Sequence, residues 1–190
     1  MLRLNDALLT ILNLPLDYLH PHRGLVPPLL DGPEMRAVIN QALLTGLGLS
    51  CPEPQQMARN AWTDLWILNW QHLPVVARLM GAQLMWPQLA RGARMRELDS
   101  TARAFARIDL GPRVLVNIPE EAELELSTGA LGLAALTAWK LHIPEALMQR
   151  LPLQFCPRVV ELQHTLPLQP QNSSLFIMAV QHARIHQNPC

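Results

Sequence analysis

The pattern of apolar and polar positions along this chain predicts helices separated by prolines. Seventeen prolines divide the 190 residues into segments of helical length. Within these segments, apolar residues recur with a period nearer 3.6 than 2. The pattern predicts an all-α fold, a single compact multi-helix domain over residues 1–190 with proline-rich connections. The sequence contains no repeat or linker that separates two domains.

The first 30 residues are predicted to form an extended apolar arm. Pro15 and Pro21 restrict their own φ angles and favour extended backbone at Leu14 and His20. The apolar side chains of this ribbon need a surface to cover them; they are Leu14, Leu16, Tyr18 and Leu19.

Helical spacing and capping residues place the main helices. The predicted segments are residues 33–47, 55–72, 74–86, 88–109, a helix after Pro119 that carries Leu124, Leu131, Ala135 and Trp139, residues 144–150 and residues 174–186. Asp31 is the predicted N-cap of the first segment, and Asn172 or Ser173 that of the last. Residues 151–172 are predicted to be mostly irregular. Residues 157–190 are expected to form a C-terminal extension that can be mobile.

Trp62, Trp66 and Trp70 form an aromatic stripe at helical spacing. Such stripes are usually core anchors, here of a helix hairpin, and the alternative is a groove for a partner. Gly129 and Gly132 lie inside a predicted helix, where each costs about 1 kcal/mol relative to alanine. Close approach of that helix to the tryptophan stripe would explain both glycines.

Composition points to protein partners in a reducing compartment. Hydrophobic residues make up 49% of the chain and charged residues 16%, which suggests a surface partly covered by other proteins. The formal net charge of zero gives no general attraction to nucleic acid or to an anionic membrane. Three irregularly spaced cysteines do not form a disulfide framework. No leader pattern or apolar stretch of about 20 residues is present, so we expect a cytoplasmic protein without membrane insertion.

One segment is rich in arginine. Between Arg78 and Arg113 there are seven arginines and three acids, a local charge of +4. On a continuous helix, Arg96, Asp99, Arg103 and Arg107 would share one side. This is either a solvated face with internal ion pairs or a docking patch, for which the candidate residues are Arg91, Arg94, Arg96, Arg103 and Arg107.

Candidate chemistry is sparse, and we expect no catalytic residues, metal or cofactor. His20 and His22 have the spacing of a metal half-site but lack cysteine or carboxylate companions. His182 and His186 are four residues apart, without the glutamate of a metalloprotease, and are expected to face solvent. Cys51 and Cys156 are interpreted as structural. No glycine motif opens a helix as a phosphate site requires.

Four blocks, in order, resemble the YscK/SctK (OrgA/MxiK-like) family of type III secretion accessory proteins. The most specific is Leu14-Pro15-Leu16-Asp17-Tyr18-Leu19-His20-Pro21, which is similar to the family's proline-then-Tyr-Leu-His opening. The others are residues 39–44, residues 73–81 ending in Gly81, and residues 123–129 followed by 148–153 with Arg150 and Pro152. The resemblance spans residues 11–155, and nothing after Pro157 contributes to it.

The resemblance implies a non-enzymatic cytoplasmic adaptor of the sorting platform below the injectisome. Family members link the cytoplasmic domain of the inner-membrane ring protein (SctD class) to the pod protein (SctQ class). In this chain the motif residues Pro15, Tyr18, Leu19, His20, Pro21, Gly81, Arg150 and Pro152 are expected to be structural.

Three other functions are alternatives to this one. A helical secretion chaperone or other helical binding module would also lack an active site, but such chaperones are usually small and acidic. A DNA-binding regulator could use the arginine segment, yet the net charge is zero and no helix-turn-helix spacing is clear. An enzyme would need a pocket that gathers His20, His22 and Cys156 with carboxylates.

Overall fold

The computed structural model describes residues 2–90, 93–110 and 123–186, with side chains omitted for Leu2, Arg3 and Ala93. Within these residues the secondary structure is entirely helical, which confirms the all-α prediction. Ten α-helices occur in the described ranges. They are α1 Leu2–Asn13, α2 Pro33–Gly46, α3 Ala61–Leu68, α4 Leu73–Leu84, α5 Trp86–Leu89, α6 Ser100–Ala106, α7 Leu124–Thr137, α8 Glu145–Arg150, α9 Pro157–Thr165 and α10 Ser173–His186.

The internal contacts divide the chain into two units. Unit 1 comprises the described residues of Met1–Gln71 and Lys140–Pro157. Unit 2 comprises those of His72–Trp139 and Arg158–Cys190. The single domain expected over residues 1–190 stays a prediction.

Unit 1 is organised around α1, which contacts α2, α3 and α8. The tryptophan stripe supplies much of this core, since Trp66 and Trp70 are buried and Trp62 is half-buried. Other buried side chains are Leu8, Ile11, Leu12, Ile67, Leu147, Leu151 and Phe155. The interpretation of the stripe as core anchors therefore holds for its last two members.

Two helix starts in unit 1 differ from the prediction. The helix expected from residue 55 begins at Ala61, because the Asn60 side chain accepts hydrogen bonds from the Trp62 and Thr63 N–H groups, both at 2.9 Å. Helix α2 has Gly32 as its N-cap. The predicted cap, Asp31, instead pairs with Arg36 at 2.6 Å.

The N-terminal arm is shorter than predicted. Residues 2–13 form α1, and the following segment contains three short 3-10 turns, Pro15–Asp17, Pro21–Arg23 and Pro28–Leu30. Each turn begins at a proline, whose fixed φ suits the first position of a helical turn. The prolines thus produce a series of tight turns rather than one extended ribbon.

Unit 2 is built on a very close crossing of α4 and α7. A Cβ atom at Gly81 of α4 would overlap the Thr128 backbone, and one at Gly132 of α7 would overlap the Ala77 backbone. The glycines therefore explain a close helix approach as predicted, but the partner of α7 is α4 and not the tryptophan stripe. A Cβ atom at Gly129 would instead lie 3.4 Å from the methyl groups of Val159 in α9.

Helices α6 and α10 both pack on α4. Phe105 of α6 and Phe176 of α10 are fully buried, and the Phe176 ring lies 5.2 Å from that of Trp139. Helix α10 confirms the last predicted helix, and the Asn172 side chain caps it by accepting from the Leu175 N–H at 2.9 Å. The stretch expected to be irregular contains α9.

The helix predicted over residues 88–109 is broken into α5, a 3-10 turn at Ala93–Arg96, and α6. A continuous helix does not pass through Asp99, because this residue is the N-cap of α6. Its backbone is extended, and its carboxylate accepts a hydrogen bond from the Ala102 N–H at 2.9 Å. The apolar spacing predicts inward-facing side chains at Leu98, Ala102, Phe105 and Ile108; the first three are buried and Ile108 is half-buried.

Candidate functional site

Two carbonyl groups at the end of α1 accept hydrogen bonds from side chains that lie outside this helix. The last carbonyls of a helix have no partner within the helix. Here the Tyr18 hydroxyl donates to the Ile11 carbonyl at 2.8 Å, and Arg150 Nη2 donates to the Leu12 carbonyl at 2.7 Å. We call this arrangement of Tyr18 and Arg150 on α1 the α1 clamp.

Arg150 is fully buried and joins three segments of unit 1. Besides Leu12, its guanidinium donates to the carbonyls of Ser50 and Ala146, each at 2.8 Å. No carboxylate among the described residues pairs with it. Its positive charge is offset by carbonyl dipoles, one of which, that of Leu12, lies at the C-terminus of α1, where a cation is favoured.

Tyr18 is buried beside Trp70, edge to face, with ring centres 5.4 Å apart. Burial raises the pKa of its hydroxyl well above the ordinary value, and the charge of Arg150 opposes part of that rise. The hydroxyl therefore stays protonated and serves as a donor to α1.

Residues 20–23 dock on the turn at Leu151–Gln154. The His20 N–H donates to the Leu153 carbonyl at 2.8 Å. Arg23 donates through Nε to the Phe155 carbonyl at 2.9 Å and through Nη2 to the Pro152 carbonyl at 3.0 Å. Burial lowers the pKa of the Arg23 guanidinium. The first and last motif blocks, far apart in sequence, are thus in direct contact.

The remaining motif residues of unit 1 contribute in smaller ways. Pro15 is buried at the start of its 3-10 turn, Leu19 is half-buried, and Pro21 is exposed at the start of the next turn.

The two histidines of the arm contact each other, and His22 also contacts Cys156. The His20 ring accepts from the His22 N–H at 3.1 Å, and the His22 ring is 3.3 Å from the Cys156 sulfur. Burial, His22 and Arg23 together lower the pKa of His20. The described ranges contain no group of three or more potential metal ligands.

His182 differs from its prediction, because it is half-buried instead of facing solvent. Its ring lies 5.2 Å from that of Phe105, and its Nε2 is 3.3 Å from the Thr101 carbonyl oxygen. Burial first, and then the charge of His186, lower the pKa of His182. His182 therefore contributes to the packing of α10 on α6, while His186 is exposed.

The predicted arginine face is not one helical face. Arg94 and Arg96 lie in a 3-10 turn, Arg103 and Arg107 lie in and just after α6, and Arg91 falls outside the described residues. The Arg103 guanidinium is hydrogen-bonded within the chain, since its Nη2 donates to the carbonyls of Arg96 and Leu98 at 3.1 and 2.7 Å. Arg94 lies 3.9 Å from Glu97. Arg96 and Arg107 are exposed and have no ion pair within the described part of the chain.

Unit 1 exposes a contiguous apolar segment, residues 25–38. Leu25 is 79% exposed, Leu29 96% and Val38 60%, with Leu30 and Met35 near 40%. Helix α2 buries only Asn40 and Leu44. We call residues 25–38 the apolar segment.

Comparison with known proteins decides the family. The family model of the bacterial type III secretion apparatus protein OrgA_MxiK matches residues 8–185. The chain belongs to this family. It is also 31% identical to the oxygen-regulated invasion protein OrgA of Salmonella typhimurium, recorded from three strains, over 92% of this chain and 85% of that protein. No solved structure matches the chain.

Family membership confirms the resemblance stated from the motif blocks and corrects its extent. The match runs to residue 185 and therefore includes α9 and α10, which the motifs did not cover. The family is one of secretion apparatus proteins, so protein partners within that machinery follow from membership. Among the helices at residues 2–90, 93–110 and 123–186, none has the length and apolar character needed to cross a membrane.

Sequence reasoning missed Arg23 and Asn60, and it interpreted Cys51 as structural. Asn60 had a local signal, because asparagine is a favoured N-cap. Arg23 had none, since its acceptors lie 129 and 132 residues away. Cys51 gains its significance from the neighbouring Arg150 guanidinium, which is 3.2 Å from its sulfur.

Proposed function

We propose that this protein is a non-enzymatic adaptor of the type III secretion sorting platform. It would lie in the cytoplasm at the inner membrane and link the cytoplasmic domain of the ring protein (SctD class) to the pod protein (SctQ class). Family membership and the contacts among the motif residues of unit 1 support a structural role within the secretion machinery. The observation that carries the proposal is the pair of exposed surfaces described next.

The first surface is the apolar segment of unit 1. Leu25 and Leu29 bury little apolar surface within this chain, because most of each residue is exposed to water. Full burial of a leucine is worth roughly 1.5–3 kcal/mol, so a partner that covers both residues gains substantially from them.

The second surface is cationic and lies in unit 2. Arg96 and Arg107 present guanidinium groups to solvent, whereas Arg103 is held by backbone carbonyls. Exposed arginines at an interface rim mainly tune association rate and orientation. An apolar surface on one unit and a cationic surface on the other give the chain two chemically different ways to bind.

Co-purification tests the adaptor role. The tagged full chain is mixed with the SctD-class cytoplasmic domain and the SctQ-class protein from the same genome, separately and together. We expect it to retain each partner alone and both at once. Retention of neither would contradict the proposal, and retention of DNA or of a secreted substrate would favour the regulator or chaperone alternatives.

Matched variants assign the surfaces. Leu29→Ser should weaken one partner by about tenfold, while Leu141→Ser, at an equally exposed leucine of unit 1, should not. Arg96→Glu with Arg107→Glu should slow association with a partner in a salt-dependent way. Arg158→Glu, also exposed in unit 2, is the charge control. Equal effects of target and control variants would remove the surface from the proposal.

A further inference from the structure

Cys51 lies on the surface of unit 1, directly beside the α1 clamp. Its side chain is exposed, and Arg150 Nη2 is 3.2 Å from its sulfur. The sulfur is also 3.7 Å from the carbonyl oxygens of Leu12 and Leu49, which are long contacts for a thiol donor. Cys51 is therefore a thiol in contact with both a cation and solvent.

The cation beside Cys51 lacks an acidic partner. Arg150 is fully buried, pairs with no carboxylate in the described residues, and has an Nε–H group without a hydrogen-bond acceptor. Buried charges are normally paired. The sulfur of Cys51, which belongs to an exposed residue, is a position at which Arg150 can meet negative charge.

Cys51 also lines a cavity of about 380 Å³ that opens to solvent within unit 1. Its wall combines Cys51 with apolar and polar groups, namely Asn13, Gln41, Leu44, Thr45, Gly48 and Leu49. The amide and hydroxyl groups suit a small polar molecule. Cys156, by contrast, is half-buried against His22 and is absent from this wall.

We propose that Cys51 is a site of thiol–disulfide exchange with a low-molecular-weight disulfide of a cysteine-containing peptide. The Cys51 thiolate attacks one sulfur, the S–S bond of the small molecule breaks, and a mixed disulfide forms. The other half leaves as a thiolate that takes a proton from water, so the Cys51 sulfur is oxidised and the leaving half is reduced. The retained half occupies the cavity.

Arg150 acts on this reaction through charge. Negative charge is shared among the attacking and leaving sulfurs during exchange. A guanidinium 3.2 Å from Sγ stabilises that charge, and the surrounding protein screens the interaction less than water does. Arg150 is thus a positioning and charge-stabilising residue for the modification, in addition to its bonds to the backbone.

The test uses the full chain with glutathione disulfide as the probe. One variant keeps Cys51 alone (Cys156→Ser, Cys190→Ser), and the matched variant keeps Cys156 alone (Cys51→Ser, Cys190→Ser). Intact-mass measurements at pH 7 give the rate of mixed-disulfide formation for each variant, folded and in urea. We expect folded Cys51 to react at least about tenfold faster than the same cysteine in urea, because only folding places Arg150 beside it.

The charge argument has its own readout. Glutathione disulfide is anionic. The ratio of the rate with glutathione disulfide to the rate with a neutral aromatic disulfide should be higher for folded Cys51 than for the same cysteine in urea. Arg150→Met should abolish that preference, and Arg150→Lys should retain part of it. If Arg150→Met does not fold, the comparison of folded and unfolded Cys51 still decides. Equal or slower reaction in the folded chain, or no preference for the anionic probe, would overturn the proposal.

Discussion

Replacing Gly132 by alanine tests the closest contact in unit 2, and Gly129→Ala on the same helix is its natural control. Both substitutions add one methyl group to α7. At Gly129 the new Cβ would lie 3.4 Å from the two Val159 methyl groups, an ordinary contact. At Gly132 it would overlap the carbonyl of Ala77, which belongs to the backbone of α4.

The two substitutions should therefore have opposite signs. Alanine is favoured over glycine inside a helix by about 1 kcal/mol, which applies to both positions. Gly129→Ala should stabilise the protein by up to that amount. Overpacking in a core costs about 1–3 kcal/mol, and overlap with the backbone belongs at the upper end because a side-chain rotation cannot relieve it. Gly132→Ala should lower the free energy of unfolding by about 2 kcal/mol after the helix gain is included.

Urea unfolding followed by far-UV circular dichroism measures both changes, with thermal unfolding as a second assay. A chain of this size shifts its Tm by about 2–4 °C per kcal/mol, so the two variants should differ by roughly 6–12 °C. Equal stabilities for Gly129→Ala and Gly132→Ala would refute the close α4–α7 crossing. A stabilised Gly132→Ala variant would do so more directly.

The other predictions concern unit 1. Arg150→Met should lower the free energy of unfolding by about 3–5 kcal/mol, because it leaves several buried carbonyls without donors; Arg150→Lys should recover part of the loss in urea titrations. Asn60→Ala should cost about 1 kcal/mol through loss of the α3 cap, and a loss below about 0.3 kcal/mol would contradict the capping role. Tyr18 is the chain's single tyrosine, so absorbance at 295 nm reports its ionisation alone. Burial raises the pKa of Tyr18 in the folded state. The stability that the buried, protonated hydroxyl contributes is therefore complete below the unfolded pKa of about 10 and declines as pH rises above that value. Titration of Tyr18 near pH 10 in the folded chain would contradict the buried hydroxyl. Tyr18→Phe should remove this pH dependence.

Local signals in the sequence predicted those helices whose ends carry their own stop and start residues. Helix α4 has Pro74 in its first turn, α10 follows its Asn172 cap, and α8 ends before Pro152. The same reasoning failed between residues 88 and 109, because the spacing of apolar residues continued through Asp99. The cap at Asp99 interrupts the backbone without interrupting that spacing.

Contacts between distant residues were beyond the reach of pattern reasoning. Gly132 indicated a close neighbour, but a glycine carries no information about which helix approaches it, and α4 was identified only by the fold. The arginine segment showed the same limit, since Arg103 is occupied by carbonyls that a continuous helix would not have offered.

By itself, the sequence determined the helical class, the family and most helix positions, because periodicity, capping residues and motif order act over short stretches of chain. Only the tertiary structure decided what the motif residues do. Tyr18 and Arg150 meet at the end of α1 although 132 positions separate them, and Arg150 becomes a buried cation beside Cys51 only when α1, the loop at Ser50 and α8 converge. Hydrogen-bond acceptors on the backbone are the same for every sequence, so their pairing with particular side chains follows from three-dimensional position and not from residue type.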